Sequence, residues 1–155
     1  MMDELRELYQ EVILDHGRRP RNFGRPERAT CEAMGNNPLC GDRLMVFLDI
    51  DADRVIRELG FVGNGCAISV ASASLMTEIV KGKTVGEAEA LFETVHRMCT
   101  GDDAATPPAD MEEETERLLV LSGVREFPVR VKCATLAWHT LKAAMNGVAE
   151  TSTED

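Results

Sequence analysis

The chain has 155 residues, is 44% hydrophobic and carries a formal net charge of −10, which suits one globular domain with a real core and argues against nucleic acid as a partner, since phosphate repels an acidic surface. No apolar run approaches the roughly 18 residues of a membrane span, and the charged, amphipathic start Met1-Met2-Asp3-Glu4-Leu5-Arg6-Glu7-Leu8 does not read as a secretory signal. Five cysteines without such a signal point to reduced thiols in a cytoplasmic protein rather than a disulfide framework.

Leu5, Leu8, Tyr9, Val12 and Ile13 recur at helical spacing, predicting an amphipathic helix over 3–15 that Gly17 closes as a left-handed cap. Arg18, Arg19, Arg21 and Arg25 then form a basic loop, read as a solvated loop with a docking patch as the alternative. A short strand is expected before Cys40. Leu44, Val46, Leu48 and Ile50 alternate along a second strand, Asp51-Ala52-Asp53 supplies a turn, and 54–62 returns with Val55, Leu59 and Phe61 on one face, interrupted by Arg57. Helices are predicted over 68–80, ending at Gly82; over 85–98, opened by a Thr84/Glu87 capping box; and over 110–121, closed by Gly123. Gly101 to Ala109 is a Pro- and Asp-bearing loop. Ala134, Ala137, Trp138, Leu141, Ala144, Met145 and Val148 form the apolar stripe of a last helix. Residues 1–149 read as one domain and 150–155 as a frayed, flexible acidic tail. The fold class is α+β, about three antiparallel strands against about five helices.

Four residues carry the chemistry: Cys40 and Asp42 in Asn37-Pro38-Leu39-Cys40-Gly41-Asp42, Cys66 in Gly63-Asn64-Gly65-Cys66, and Cys133 after Arg130-Val131-Lys132. Residues i and i+2 of an extended segment point the same way, so Cys40 and Asp42 can address one ion, and Gly41 lets the backbone bend between them. Cys66 opens a helix and Cys133 stands just before the last one, positions where the helix dipole favours a thiolate. Three thiolates and a carboxylate suffice for one tetrahedral zinc, and the spacing is not that of a local zinc knuckle. Buried structural cysteines are the competing explanation. Cys31 and Cys99 read as packing residues. His139 is rejected as a ligand because it is rotated away from Cys133 and groups with Thr135 and Lys142 on a polar face. His16 reads as a helix-end or supporting residue, His96 as part of a solvated face, and Ser69, Ser72 and Ser74, with no basic partner in the sequence, as close helix packing.

These motifs, in this order, resemble the U-type iron–sulfur assembly proteins, the family of IscU, SufU and the N-terminal domain of NifU. The resemblance runs from Leu8-Tyr9 to about Met145 and includes Val12-Ile13-Leu14-Asp15-His16, Pro20-Arg21-Asn22, the Asn37 to Asp42 segment, Gly65-Cys66-Ala67-Ile68-Ser69 with Ala71-Ser72 and Ser74, and Lys132-Cys133. It implies a small antiparallel sheet packed by helices, with the three cysteines grouped at one end. IscU-like scaffolds carry histidine where this chain has Lys132, and Gly101 to Val124 reads as an insertion relative to them. Both features resemble the SufU branch, which implies a zinc-dependent sulfurtransferase that takes persulfide sulfur from a SufS-type cysteine desulfurase and serves downstream Fe–S assembly proteins. Carried over by position, Cys40, Asp42, Cys66 and Cys133 hold the zinc, Cys40 accepts the sulfur, and Arg130 supports the site. Whether the chain is an enzyme is left open by two rivals: a scaffold that builds a [2Fe–2S] cluster on the same cysteines, and an interaction module with a purely structural zinc.

Overall fold

The computed structural model describes residues 2–100 and 110–152, so the loop read at 101–109 and the tail residues 153–155 lie outside the described residues. The first helix, α1, spans Met2–Arg18 and passes through Gly17, whose φ is not in the left-handed region; the expected cap is absent. A Cβ at Gly17 would touch Ala67 at 3.5 Å, so this turn is where α1 packs on the second helix, and tertiary contact carries the helix past its glycine.

Three antiparallel strands follow: β1 (Cys31–Asn37), β2 (Asp42–Ile50) and β3 (Ile56–Asn64). Leu44, Val46 and Leu48 are completely buried, as the alternation of β2 requires. Opposite, Asp49 pairs with Glu58 and Ile50 with Ile56, which leaves Arg57 as an extra residue in a bulge. The bulge explains the interruption at Arg57 and corrects the face: Ile56, Leu59 and Phe61 are buried, whereas Val55 is half-buried and bridges to Thr84. The Arg-rich loop closes over this edge, with Gly24 N–H donating to Phe61 C=O and Phe61 N–H to Asn22 C=O. Among its arginines, Arg21 pairs with Asp15 at 2.7 Å and Arg25 lies over the Phe47 ring.

A fourth strand, β4 (Glu150–Ser152), pairs parallel to β1 and gives the sheet order β3-β2-β1-β4. These three residues, expected in the frayed tail, are held because the open edge of β1 offers unpaired backbone groups, and Met34 N–H already bonds Ala149 C=O.

The helical layer comprises α2 (Ala67–Val80), α3 (Val85–Thr100), α4 (Glu112–Leu118) and α5 (Pro128–Met145). The capping box is present in both directions, Thr84 N–H to Glu87 Oε1 at 2.9 Å and Glu87 N–H to Thr84 Oγ1 at 3.1 Å. The helix expected over 110–121 stops at Leu118 and continues as a 3₁₀ segment, Leu119–Glu126, through Gly123. Burial of Val120, Leu121 and Val124 holds that tighter winding against α3 and α5. The stripe of α5 is buried as predicted except for Val148, which lies past the helix end and is 49% exposed. α5 packs across β1 and β2 with α2 at its side and α1 beyond α2, so the start of α2 and the first turns of α5 meet at one end of the sheet.

Candidate metal centre

That end is where the three chemical segments converge. Asn37 and Asp42 are the last pair of the β1–β2 ladder, and Pro38 to Gly41 form the turn that joins them. Cys40 N–H bonds Asn37 C=O at 3.3 Å, and Gly41 adopts φ +70°, a left-handed backbone that glycine takes without a Cβ clash. Arg43 pairs with Asn64, which delivers Gly65 and Cys66 beside Asp42. A Cβ at Gly65 would stand 3.0 Å from Asp42 Oδ1, so the carboxylate reaches Cys66 through space only glycine leaves.

Cys66 occupies the N-cap of α2 in extended conformation, as expected. Its N–H donates to Asp42 Oδ1 at 2.9 Å, so an aspartate from the sheet satisfies one of the free amides at the helix start. Cys133 departs from expectation. It sits inside α5, in its second turn, and is fully buried, because the helix begins at Pro128 and the α5–β1 contact covers that turn.

Cys40 Sγ and Cys133 Sγ are 3.4 Å apart. These two sulfurs and a carboxylate oxygen of Asp42 all lie within 4.8 Å of one another. Cys66 stands just outside that mutual set, with its Sγ 4.0 Å from Asp42 Oδ2. Two sulfurs on one tetrahedral zinc, with Zn–S about 2.3 Å, are separated by about 3.7 Å. The spacing of Cys40, Asp42 and Cys133 therefore fits a zinc ion, with Cys66 beside them as a candidate fourth ligand.

The electrostatics are those of a concentrated anion. Burial, followed by hydrogen bonds that the Cys133 thiol donates to Cys40, Cys66 and Asp42, raises its pKa well above the ordinary range, so a metal bound there must displace a proton. Arg130, one helical turn before Cys133, has its pKa raised first by the charge of Cys66, then by a hydrogen bond and charge interaction with Cys133, and last by Cys40. Arg130 is exposed at the rim of this cluster. Lys132 is half-buried on the same turn.

Two residues that the sequence reading left out of the site belong to it. Ser69 is buried and its Oγ donates to Asp42 Oδ2 at 2.7 Å. Asn37 is 1% exposed and its Nδ2 donates to Cys133 Sγ at 3.6 Å, while its Oδ1 has no partner among the described residues. The signal for Ser69 was its place three residues after Cys66, on the same helix face. For Asn37 it was the hairpin that pairs it with Asp42.

The remaining candidates lie elsewhere. Cys99 is buried in the core and its thiol is pushed up to about 12 by burial; Cys31 is half-buried at the start of β1. His139 is partly buried against Phe92, with ring centroids 5.1 Å apart, and Thr135 is buried, so the polar face assigned to them is an α3–α5 packing surface. His16 is buried, with Nδ1 2.7 Å from Ser74 Oγ; Ser74 therefore has the basic partner that the sequence reading denied it, brought from 58 positions away. Around Cys40 the surface is apolar. Leu39, Phe127 and Val129 are all more than half exposed, and Cys40 lines an open cleft with residues 127–130.

The NifU-like N-terminal domain family matches residues 8–154. The chain is 40% identical over 144 residues to the iron–sulfur cluster assembly scaffold protein IscU of Streptococcus pyogenes serotype M1, covering 93% of this chain and 86% of that one. It is also 40% identical over 145 residues to the zinc-dependent sulfurtransferase SufU of Bacillus subtilis strain 168, covering 92% and 90%. Among solved structures, a candidate iron–sulfur cluster assembly scaffold for the SUF system from Fervidobacterium islandicum AW-1 superposes with a TM-score of 0.76 at 32% identity, covering 87% of this chain and 94% of that one. With its fold, its cysteine placement and these matches in agreement, the chain belongs to the NifU-like N-terminal domain family, the iron–sulfur cluster assembly group of IscU and SufU.

Proposed function

We propose that the protein is a zinc-dependent sulfur acceptor that takes persulfide sulfur from a cysteine desulfurase of the SufS type and passes it to downstream iron–sulfur assembly proteins in the cytoplasm. The observation that carries this reading is the asymmetry of the three thiols: Cys133 is buried and Cys66 caps a helix, but Cys40 stands on a glycine turn in an open apolar cleft. Cys40 and Cys66 are both half-buried, and it is Cys40 that shares the open cleft with residues 127–130, a position suited to a protein-bound sulfur donor. Lys132 in the position before Cys133 supports the same reading, because it removes the additional neutral ligand that a histidine would supply to a cluster.

Zinc held by Cys40, Asp42, Cys66 and Cys133 would keep the sulfurs deprotonated and, having no redox chemistry, would leave the cargo sulfur unoxidised. The chain's own residues do the rest. Leu39, Phe127 and Val129 provide an exposed apolar seat that would exclude water around Cys40 once a partner covers it. Arg130 offsets part of a formal charge of about −2 from three thiolates, one carboxylate and Zn²⁺, and is placed to receive the anionic persulfide. The freed Cys40 thiolate attacks the terminal sulfur of the donor persulfide. A new S–S bond forms to Cys40, the old one breaks, and the donor cysteine leaves as its thiolate. One sulfur moves and no external oxidant is needed, as in thiol–disulfide exchange.

The test is metal content and absorption after aerobic purification, followed by incubation with desulfurase and L-cysteine. Colourless protein with one zinc and an adduct of about +32 Da on Cys40, one sulfur on a thiol, is expected. Brown protein with iron and inorganic sulfide would favour the scaffold reading. Zinc without any adduct or stimulation would reduce the site to a structural one.

A further inference from the structure

Ser69 touches three of the four candidate ligands while being none of them. Its Oγ donates to Asp42 Oδ2 at 2.7 Å, lies 3.3 Å from the Cys133 carbonyl oxygen, and stands 3.7 Å from Cys66 Sγ. A hydroxyl has one proton and two lone pairs. That proton goes to the carboxylate, since the bond to an ionised acceptor is both shorter and stronger. The other carboxylate oxygen, Oδ1, is tied to the Cys66 N–H at 2.9 Å. Both oxygens of Asp42 are therefore held by α2, one by a backbone amide and one by Ser69, and the plane of the carboxylate is fixed relative to Cys40 and Cys133.

We propose that Ser69 is a positioning residue that sets how firmly Asp42 holds the metal, by fixing the carboxylate plane and leaving only its remaining lone pairs for coordination. Asp42 would then offer an ion only the lone pairs that α2 leaves free, and the strength of the site would depend on a hydroxyl that is not one of its candidate ligands. The inference rests on the ligand set proposed above. It also distinguishes the serines of α2. Ser72, equally buried, donates to Ala134 C=O at 2.6 Å and accepts the Trp138 Nε1–H at 3.2 Å, so it serves helix packing and contacts no candidate ligand.

The experiment is a double-mutant cycle on the full-length protein with zinc as the probe. Wild type, Ser69→Ala, Asp42→Ala and the double variant are titrated against a chromophoric zinc chelator, and the absorption bands of the cobalt-substituted forms are recorded. Ser69→Ala is expected to weaken zinc binding roughly 10-fold or more, as loss of a ligand's hydrogen-bond partner does, and to shift the cobalt bands. In the Asp42→Ala background the same substitution should change neither, because its target is gone. Ser72→Ala should leave zinc affinity at the wild-type level. Amide exchange at Cys66 in metal-free protein gives a readout without metal: it should rise in Ser69→Ala as the loosened carboxylate releases that N–H. Unchanged affinity in Ser69→Ala, or full additivity in the cycle, would overturn the assignment and leave Ser69 as packing. An intact cycle in a protein that takes no sulfur from the desulfurase would instead reject the transfer reading and leave the positioning role standing.

Discussion

The two sides of the candidate metal centre are built on opposite principles. Cys133, Ser69 and Asn37 are buried and held by helix and sheet contacts, whereas Cys40 sits on a four-residue turn whose neighbours Pro38, Leu39 and Gly41 are exposed. The buried side resembles a core in which sulfur happens to be the packing atom; the turn side resembles a binding loop on a rigid scaffold. The proposed transfer would draw on this division, because lowering the cost of moving one thiol without loosening the others requires that they belong to different structural layers.

The comparison can be broken most directly at Cys40. Cys40→Ser is expected to reduce desulfurase-stimulated sulfide release to the rate of the desulfurase alone while retaining zinc, measured by coupled kinetics and metal analysis. Stimulation equal to wild type would move the acceptor to Cys66 or Cys133 and dissolve the distinction between the two sides.

Zinc removal should have the next largest effect. Ligands drawn from the three candidate segments would tie the sheet to α2 and α5, so metal binding should add to folding stability. At a thousandfold excess of free zinc over Kd the linkage is about 4 kcal/mol, roughly 8–16 °C in Tm for a chain of this size. A melt unchanged after verified chelation would mean that the buried side stands without its metal.

Cys133→Ser sharpens the contrast from the buried side. It places a hydroxyl where a thiol is packed against the Asn37 amide, and it should cost about 1–3 kcal/mol even in metal-free protein, read by denaturant unfolding. Cys40→Ser in the same assay should cost far less. Gly65→Ala tests the passage between the two sides: its Cβ would crowd Asp42 Oδ1 at 3.0 Å, and zinc affinity should fall roughly 10-fold with little change in metal-free stability.

The smallest effect is a pH dependence away from the centre. The His16 imidazole is held below its ordinary value, first by burial and then by the charge of Arg21. The unfolded chain therefore takes up a proton that the fold resists, and metal-free stability should be lost as pH falls below the ordinary histidine value of about 6.5. His16→Gln should flatten that slope in denaturant titrations. A slope that rises with acid would show His16 gaining a charged partner instead.

Much of this organisation could be read from residue order. The alternation of Leu44, Val46 and Leu48, the Thr84/Glu87 box and the stripe of α5 encode elements because their signals lie within one or two turns or strand repeats. The types of the candidate ligands were legible for the same reason: Cys-Gly-Asp and Gly-Cys at a helix start are local. What the sequence left out depends on contacts between distant segments. The bulge at Arg57 follows from pairing against β2, and the strand at Glu150–Ser152 from the free edge of β1. The depth of Cys133 follows from α5 crossing the sheet, and the partnership of Ser74 with His16 from the packing of α1 on α2. Ser69 and Asn37 entered the site only once the fold had brought them to Asp42 and Cys133, because a hydrogen bond across 27 or 96 positions leaves no periodic trace in either segment alone.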